Sequence, residues 1–201
     1  MKNKIIIMSS PSGAGKTTIC KKLIAKKKNI ELSVSFTTRT KRNNETHGKD
    51  YYFTKIEDFK ILNKKKYFIE TAKVFDNFYG SPYQNINKAF NKNKHILFDI
   101  DWQGAKKLRK KFSNKDIIDF FILPPNKKEL KKRLEQRGRD NKAEIKKRLS
   151  LAVNEISHYG EYKYSIVNDN IIKTVNYIIK IIELEEILNQ MSKKVKDVNI
   201  H

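Results

Sequence analysis

The sequence predicts an α/β fold in which helices flank a parallel β-sheet. Short β-branched runs alternate with longer amphipathic segments over most of the 201-residue chain. Strands and helices that alternate in this way form a parallel sheet covered on both faces. A glycine-bearing segment joins the first β-branched run to the first amphipathic segment, as in a strand–loop–helix unit. The length suits one compact domain with a small insertion.

The first two elements are predicted from local patterns. Residues 4–9 form a short β-branched run that ends at turn residues, which predicts a buried strand. Residues 16–28 have apolar side chains on one helical face, which predicts a helix. Those side chains belong to Ile19, Cys20, Leu23 and Ile24. Residues 32–36 are interpreted as a further short strand.

The middle of the chain differs from both ends. From 33 to 83 it mixes polar turns with short aromatic stretches and has no long helical pattern, which predicts a mixed α+β insertion outside the main sheet. Alternation then resumes. The further elements predicted, in order, are strand 95–100, helix 103–111, strand 117–123, helices 127–136 and 144–157, strand 164–167 and helix 171–191. We therefore expect a core over 1–32 and 84–201.

Cysteine content and hydropathy indicate the compartment. The single cysteine, Cys20, excludes an intramolecular disulfide, which is typical of the reducing cytosol. The apolar run at 5–8 is too short for a signal-peptide core or a membrane span. We therefore expect a cytoplasmic protein without a membrane partner.

The charge of the chain is unusual. Lys and Arg number 44 against 22 Asp and Glu, which gives a formal net charge of +22. One interpretation is nucleic-acid binding, since a basic surface attracts phosphate backbones. The lysines are spread along the whole chain, however, which favours solvated faces and a compositional bias. We expect no specific nucleic-acid partner, although the positive potential should attract anionic nucleotides.

The segment 9–18 reads SSPSGAGKTT and has the context of a phosphate-binding loop (P-loop). Glycines let its backbone N–H groups converge on phosphate oxygens, and the N-terminus of the next helix adds partial positive charge. We expect Lys16 to reach the β- and γ-phosphates of ATP and the Thr17 hydroxyl to bind Mg²⁺. Ser10 stands where the strict pattern has glycine. The predicted ATP-binding residues are Ser10, Pro11, Ser12, Gly13, Ala14, Gly15, Lys16, Thr17 and Thr18.

Further motifs follow the loop in a fixed order. They read SVSFTTRTKR at 33–42, FIE at 68–70, YGS at 79–81, DIDWQG at 99–104, LPP at 123–125 and VND at 167–169. This series resembles the guanylate kinase family, and the resemblance covers nearly the full chain. It implies a P-loop NTPase fold and the Mg²⁺-dependent transfer of a phosphoryl group from ATP to GMP or dGMP. It also implies that 33–83 is a GMP-binding insertion and that about 137–147 is a mobile lid.

The resemblance implies roles for individual residues as well. Those implied to bind the GMP phosphate are Arg39, Arg42, Tyr51 and Tyr79. Those implied to surround the guanine are Ser35, Glu70, Ser81 and Asp101. Those implied to hold the transferring phosphoryl group, together with Lys16, are Arg133, Arg137 and Arg148.

General chemistry favours some of these roles independently. Guanine presents N1–H and an exocyclic amine side by side, and a carboxylate such as Glu70 accepts from both, whereas adenine presents an acceptor at N1. Arg39 and Arg42 can direct forked donors at one phosphate. Asp99 ends a strand beside the P-loop, where an acid contacts Lys16 or holds Mg²⁺ through water. Without the neighbouring motifs, Glu70 would be read as an ordinary exposed strand residue.

Two alternative functions fit parts of the pattern. Guanylate-kinase-like scaffold domains keep the fold and bind proteins, but they lose the phosphate-loop chemistry that Lys16 indicates here. A P-loop kinase for another phosphorylated small molecule would share the loop without the base pocket. Asp76 departs from the family pattern, which commonly has glycine there, without removing a proposed contact.

Overall fold

The computed structural model describes residues 3–136 and 142–197. Its strands, in chain order, are β1 (Ile5–Ser9), β2 (Ile30–Leu32), β3 (Phe36–Thr37), β4 (Tyr52–Phe53), β5 (Phe68–Val74), β6 (Asn77–Pro82), β7 (His95–Asp99), β8 (Ile117–Leu123) and β9 (Tyr164–Val167). Its helices are α1 (Lys16–Lys26), α2 (Ile56–Lys64), α3 (Gln84–Asn91), α4 (Trp102–Lys111), α5 (Lys127–Gln136), α6 (Lys142–Ser157) and α7 (Ile171–Asp197).

Five parallel strands form the main sheet in the order β2-β7-β1-β8-β9. Side chains alternate between its two faces, as in any strand. On β1, Ile6 and Met8 pack in a cluster with residues of α1 and α7. Ile5 and Ile7 pack in a second cluster with residues of α3 and α4. Both faces are thus covered by helices, which confirms the predicted α/β fold class.

A second, mixed sheet lies between residues 36 and 82, in the order β4-β3-β6-β5. Strands β3 and β4 are parallel, whereas β6 is antiparallel to both β3 and β5. Phe59 of α2 packs on this sheet, with ring centroids 4.7 Å from Phe68 and 5.6 Å from Phe78. The aromatic stretches that distinguish this part of the sequence therefore build its core.

The turn between β5 and β6 has an unusual backbone. Val74 pairs with Asn77, so Phe75 and Asp76 form a two-residue hairpin loop with φ of 47° and 64°. Positive φ at both positions is the signature of a type I′ turn, which glycine and asparagine adopt most readily. This conformation explains why glycine is favoured at position 76, and a short acid such as Asp76 tolerates it.

Several predicted boundaries are wrong. Residues 32–36 do not form one strand, because β2 ends at Leu32 beside β7 and β3 begins at Phe36 in the other sheet. Between them the backbone changes partners: Ser33 N donates to Leu97 O, whereas Ser35 O accepts from Tyr52 N. Helices α2 and α3 were not predicted, and the helix predicted over 16–28 ends at Lys26.

Helix α7 is long but amphipathic. Val175, Ile178 and Ile182 are buried against the main sheet, whereas Leu184 and Met191 are exposed. Within 3–136 and 142–197, no helix combines the length and the apolarity that crossing a membrane requires.

Replacing Phe59 by alanine should destabilise the fold. The side chain is 2% exposed and stacks on two rings, so its loss should lower the free energy of unfolding by about 3–5 kcal/mol. Ile61→Ala, on the same helix but 53% exposed, should cost about 1 kcal/mol or less. Urea unfolding followed by circular dichroism measures both, and equal losses would contradict the packing described here.

Candidate active site

A cleft lies between the carboxyl ends of the main sheet and the second sheet. Lys16 and Asp99 line it from the main sheet, and Arg39 and Glu70 line it from the second sheet. Parallel strands place their carboxyl ends at one sheet edge, and ligands of open α/β sheets bind there. The predicted ATP-binding residues that line this cleft are Ser10, Pro11, Ser12, Gly13, Gly15, Lys16 and Thr17.

The phosphate loop is tightly curled between β1 and α1. Gly13 and Gly15 have φ of 97° and 98°, a left-handed conformation that side chains oppose. A Cβ atom on Gly15 would lie 2.7 Å from Asn168 Nδ2. That same nitrogen donates to Ala14 O at 2.7 Å. The loop therefore requires glycine both for its backbone angles and for close packing on Asn168.

An ion pair anchors the start of α1. Lys16 Nζ lies 2.6 Å from Asp99 Oδ1 and donates to Ile100 O at 2.8 Å. The Thr17 hydroxyl donates to the other oxygen of Asp99 at 3.2 Å. Burial disfavours the charged form of Lys16, but the Asp99 carboxylate outweighs burial and raises the pKa of the ammonium. Lys16 therefore stays positive over the physiological pH range.

Glu70 is buried, so it is not an ordinary exposed strand residue. It is 4% exposed, and the Ser81 hydroxyl donates to its Oε1 at 2.6 Å. The Ser35 hydroxyl in turn lies 2.9 Å from that of Ser81. Burial raises the pKa of the Glu70 carboxyl to about 7. The negative charge of Asp101 also raises this pKa, whereas the hydrogen bond from Ser81 lowers it. Glu70 is thus a buried acid with few internal donors.

Asp101 faces the same cleft and also caps a helix. Its Oδ1 accepts from Gly104 N at 2.9 Å, and Gln103 Nε2 donates to its Oδ2 at 2.9 Å. A Cβ atom on Gly104 would lie 2.6 Å from Glu70 Oε2. The glycine at the start of α4 therefore makes room for the buried carboxylate.

Two arginines share one carboxylate at the far side of the cleft. Arg39 Nη2 donates to Glu45 Oε1 at 2.7 Å, and Arg42 donates its backbone N–H to Glu45 Oε2 at 2.9 Å. The Arg39 guanidinium lies 5.4 Å from the centre of the Tyr51 ring. Tyr51 meets Tyr79 edge to face, with ring centroids 6.0 Å apart. Burial raises the pKa of Tyr51, so its phenol is a hydrogen-bond donor at neutral pH.

The three arginines implied to act on the phosphoryl group differ in position. Arg148 lines the cleft, where its Nη1 donates to Ser12 Oγ at 3.3 Å and its guanidinium lies 4.6 Å from the Phe75 ring centre. Arg133 does not line it and donates to Glu129 and to Asn168 O instead. Arg137 lies outside the described residues.

The family is decided by comparison with known proteins. The family model described as "Guanylate kinase" matches residues 2–185. The chain belongs to the guanylate kinase family. The guanylate kinase of Buchnera aphidicola is 44% identical over 185 residues, which cover 91% of this chain and 88% of that protein. The guanylate kinase of Rickettsia felis is 44% identical over 187 residues, which cover 92% and 96%.

A solved structure supports the same assignment. The crystal structure of guanylate kinase from Anaplasma phagocytophilum superposes with a TM-score of 0.75 at 38% identity, over 91% of this chain and 86% of that one. The activity of guanylate kinases is phosphorylation of GMP by ATP, so the chain is a nucleoside monophosphate kinase. The resemblance stated from the sequence motifs is confirmed.

Three residues in or beside the guanylate kinase cleft were assigned no individual role from the sequence. Glu155 lines it and accepts from Ser12 N at 3.1 Å. Glu45 holds both arginines described above, and the buried Asn168 holds the phosphate loop. The seven-residue spacing of Arg148 and Glu155 could have indicated that Glu155 also faces the cleft, because residues seven apart lie on the same side of a helix.

GMP binding should weaken as the pH falls below about 7. The resemblance implies that Glu70 accepts hydrogen bonds from guanine, and only the ionised carboxylate can accept both of them. Because the pKa of Glu70 is raised to about 7, protonation should compete with this binding. We expect about tenfold weaker GMP binding at pH 6 than at pH 8 from this group. Calorimetric titration of the wild type and of Glu70→Gln measures the effect.

The Gln variant is the control, because the GMP phosphate titrates equally in both experiments. Glu70→Gln should bind GMP more weakly at every pH from 6 to 8. Its GMP affinity should also lack the part of the pH dependence that the Glu70 carboxylate causes. The same pH dependence in both proteins would contradict a role for the Glu70 carboxylate.

Proposed function

We propose that this single cleft holds both substrates of the guanylate kinase reaction, with the ATP phosphates on loop 10–18 and GMP against the second sheet. One observation carries the proposal: Lys16, Arg39 and Glu70 come from distant parts of the chain and line the same cleft. One end is rich in N–H donors and cations, which suits polyphosphate. The other end holds a buried carboxylate, which suits a base with two adjacent donors.

Guanine recognition is assigned to the chain Ser35–Ser81–Glu70. The hydroxyls of Ser35 and Ser81 fix the carboxylate on one side. The N1–H and exocyclic amine of guanine would supply the remaining donors that a buried carboxylate needs. Adenine would place a lone pair against Glu70, and an unpaired buried group of this kind costs about 1–3 kcal/mol. Asp101, which adjoins Glu70, completes the polar wall on this side.

The GMP phosphate is assigned to Arg39, Arg42, Tyr51 and Tyr79. Glu45 orients Arg39 and holds the backbone of Arg42, so the two cations are positioned before a phosphate arrives. Guanidinium groups bind phosphate through paired donors. The phosphate of GMP is itself an anionic nucleophile, so the transfer needs no general base from the protein.

Phosphoryl transfer depends on alignment and on neutralising charge. Lys16 and Arg148 both line the cleft. We propose that these two cations neutralise the negative charge that develops on the transferring phosphoryl group. Arg133 and Arg137 complete this set in our proposal.

Thr17 and Asp99 fit Mg²⁺. Their oxygens lie 3.2 Å apart at the start of α1, and hydroxyl and carboxylate oxygens are the donors that this ion prefers. Thr17 would hold it directly and Asp99 through water. When bound, the ion neutralises charge on the phosphates of ATP.

We also propose that the enzyme closes around its substrates. Water must be excluded from the phosphoryl group, so the insertion over 33–83 would move inward. The lid implied at about 137–147 would move with it; residues 142–147 begin α6, and 137–141 lie outside the described residues. Residues 33–35 join the two sheets, which suits a hinge between core and insertion.

We place the enzyme in the cytoplasm, where ATP, GMP and dGMP occur together.

A nucleotide panel tests the base assignment. With ATP and Mg²⁺, coupled ADP release should be fast with GMP and dGMP and weak with AMP, CMP or UMP. Glu70→Ala should reduce the ratio of the rate with GMP to the rate with AMP. Equal rates of the wild type with GMP and AMP would refute the guanine pocket proposed here.

Lys16→Ala tests the phosphate end of the cleft. It should lower kcat by about a hundredfold or more, because a preorganised charge at the transferring group is lost. GMP affinity, measured by calorimetry without ATP, should change by less than about threefold. A large loss of GMP binding would show that Lys16 supports the whole cleft and not the transfer alone.

A further inference from the structure

Helix α6 makes two hydrogen bonds to one residue of the phosphate loop, Ser12. Arg148 Nη1 donates to Ser12 Oγ at 3.3 Å, and Glu155 Oε2 accepts from Ser12 N at 3.1 Å. Positions 148 and 155 are seven apart, or about two helical turns, so both side chains leave the same face of α6. Helix α6 thus contacts both the side chain and the main chain of Ser12.

Glu155 lies among the charges of the cleft. Burial raises the pKa of its carboxyl, and the charge of Asp101 acts in the same direction. The Ser12 N–H, Lys16 and Arg148 act in the opposite direction by favouring the carboxylate. The carboxylate is therefore held by the same kinds of group, a loop amide and two cations, that bind a phosphate.

A carboxylate in this position conflicts with a phosphate at Ser12. One N–H carries one proton and cannot make a full hydrogen bond to two anions at once. Two negative groups at such short range also repel each other, and more strongly in a partly buried cleft than in water. A phosphate that reaches the Ser12 amide must therefore displace Glu155.

We propose that Glu155 is an anionic placeholder at Ser12 that the terminal phosphate of ATP displaces. The inference rests on the proposed function, in which loop 10–18 binds the phosphates of ATP. ADP lacks the terminal phosphate and leaves the contact between Glu155 and Ser12 intact. Glu155 therefore lowers the affinity for ATP relative to ADP.

The displacement also links ATP binding to Arg148. Once Glu155 leaves Ser12, α6 loses its main-chain contact with the loop, while Arg148 on the same face stays beside the phosphates. Glu155 is in this account a positioning residue that acts through Ser12 and α6. It does not touch the reacting atoms.

Glu155→Gln tests the placeholder directly. The amide keeps the size of the side chain and can still accept from Ser12 N, but it has no negative charge. Calorimetric titration without GMP, in the presence of Mg²⁺, should show ATP binding about five- to tenfold tighter than in the wild type. ADP binding should change by less than twofold, so the ratio of the two affinities is the decisive quantity.

The matched control is Glu183→Gln. It removes the same charge from α7, where Glu183 pairs with Lys27 at 3.0 Å away from the cleft lining. Neither affinity should shift by more than twofold. An equal gain in ATP affinity in this variant would attribute the effect to net charge and overturn the proposal.

Glu155→Ala provides a second, independent variant. It should also raise the preference for ATP over ADP, because it removes the competing carboxylate. An unchanged preference in both variants, or a parallel weakening of ATP and ADP, would overturn the placeholder and leave Glu155 a structural support of the loop. If the wild type itself failed to bind ATP, the proposed function would fail instead.

Discussion

Parallel pairing of β1 with β7 is the constraint on which the active site depends. The register places Met8 beside Asp99, and parallel strands end at the same sheet edge. The loop that follows Ser9 therefore begins next to the acid that ends β7. Lys16, at the far end of that loop, returns to within 2.6 Å of Asp99. A cation, an acid and a curled row of amides meet at this edge because two buried, β-branched strands pair there.

The segment that follows β7 connects the two halves of the cleft. Asp99 faces the phosphate loop, and two residues later Asp101 caps α4 beside Glu70 of the second sheet. Gly104 then allows the Glu70 carboxylate to approach the first turn of α4, because any side chain there would overlap Glu70 Oε2. One short stretch, residues 99–104, thus lies against both the phosphate loop and Glu70 in this structure. In-line transfer requires the two proposed substrates to be aligned, and this stretch gives the two halves of the cleft a common reference.

The buried Glu70 carboxylate lowers the stability of the fold at neutral pH. The pKa of Glu70 is raised to about 7 in the fold, so the folded chain holds a proton there more tightly than the unfolded chain. Any stability that this group contributes is therefore present at low pH and lost as the pH rises through about 7. An amide of the same size would avoid the cost, but it would offer guanine one acceptor and one mismatched donor. In the function proposed here, the two acceptor oxygens of Glu70 distinguish guanine from adenine.

The core of the fold and the contiguous motifs were predictable from sequence, because hydrophobic periodicity and the P-loop are local signals. The strand predicted over 32–36 was wrong, since its ends belong to two sheets and tertiary partners decide such short strands. Helix α2 was missed because it buries a single residue, Phe59, which leaves little periodicity to detect. Glu155 lies 143 residues from Ser12 in the chain, and only the packing of α6 on the loop brings them together. Local sequence therefore indicates the groups proposed to contact substrates better than the groups that hold them in position, because the latter depend on long-range packing.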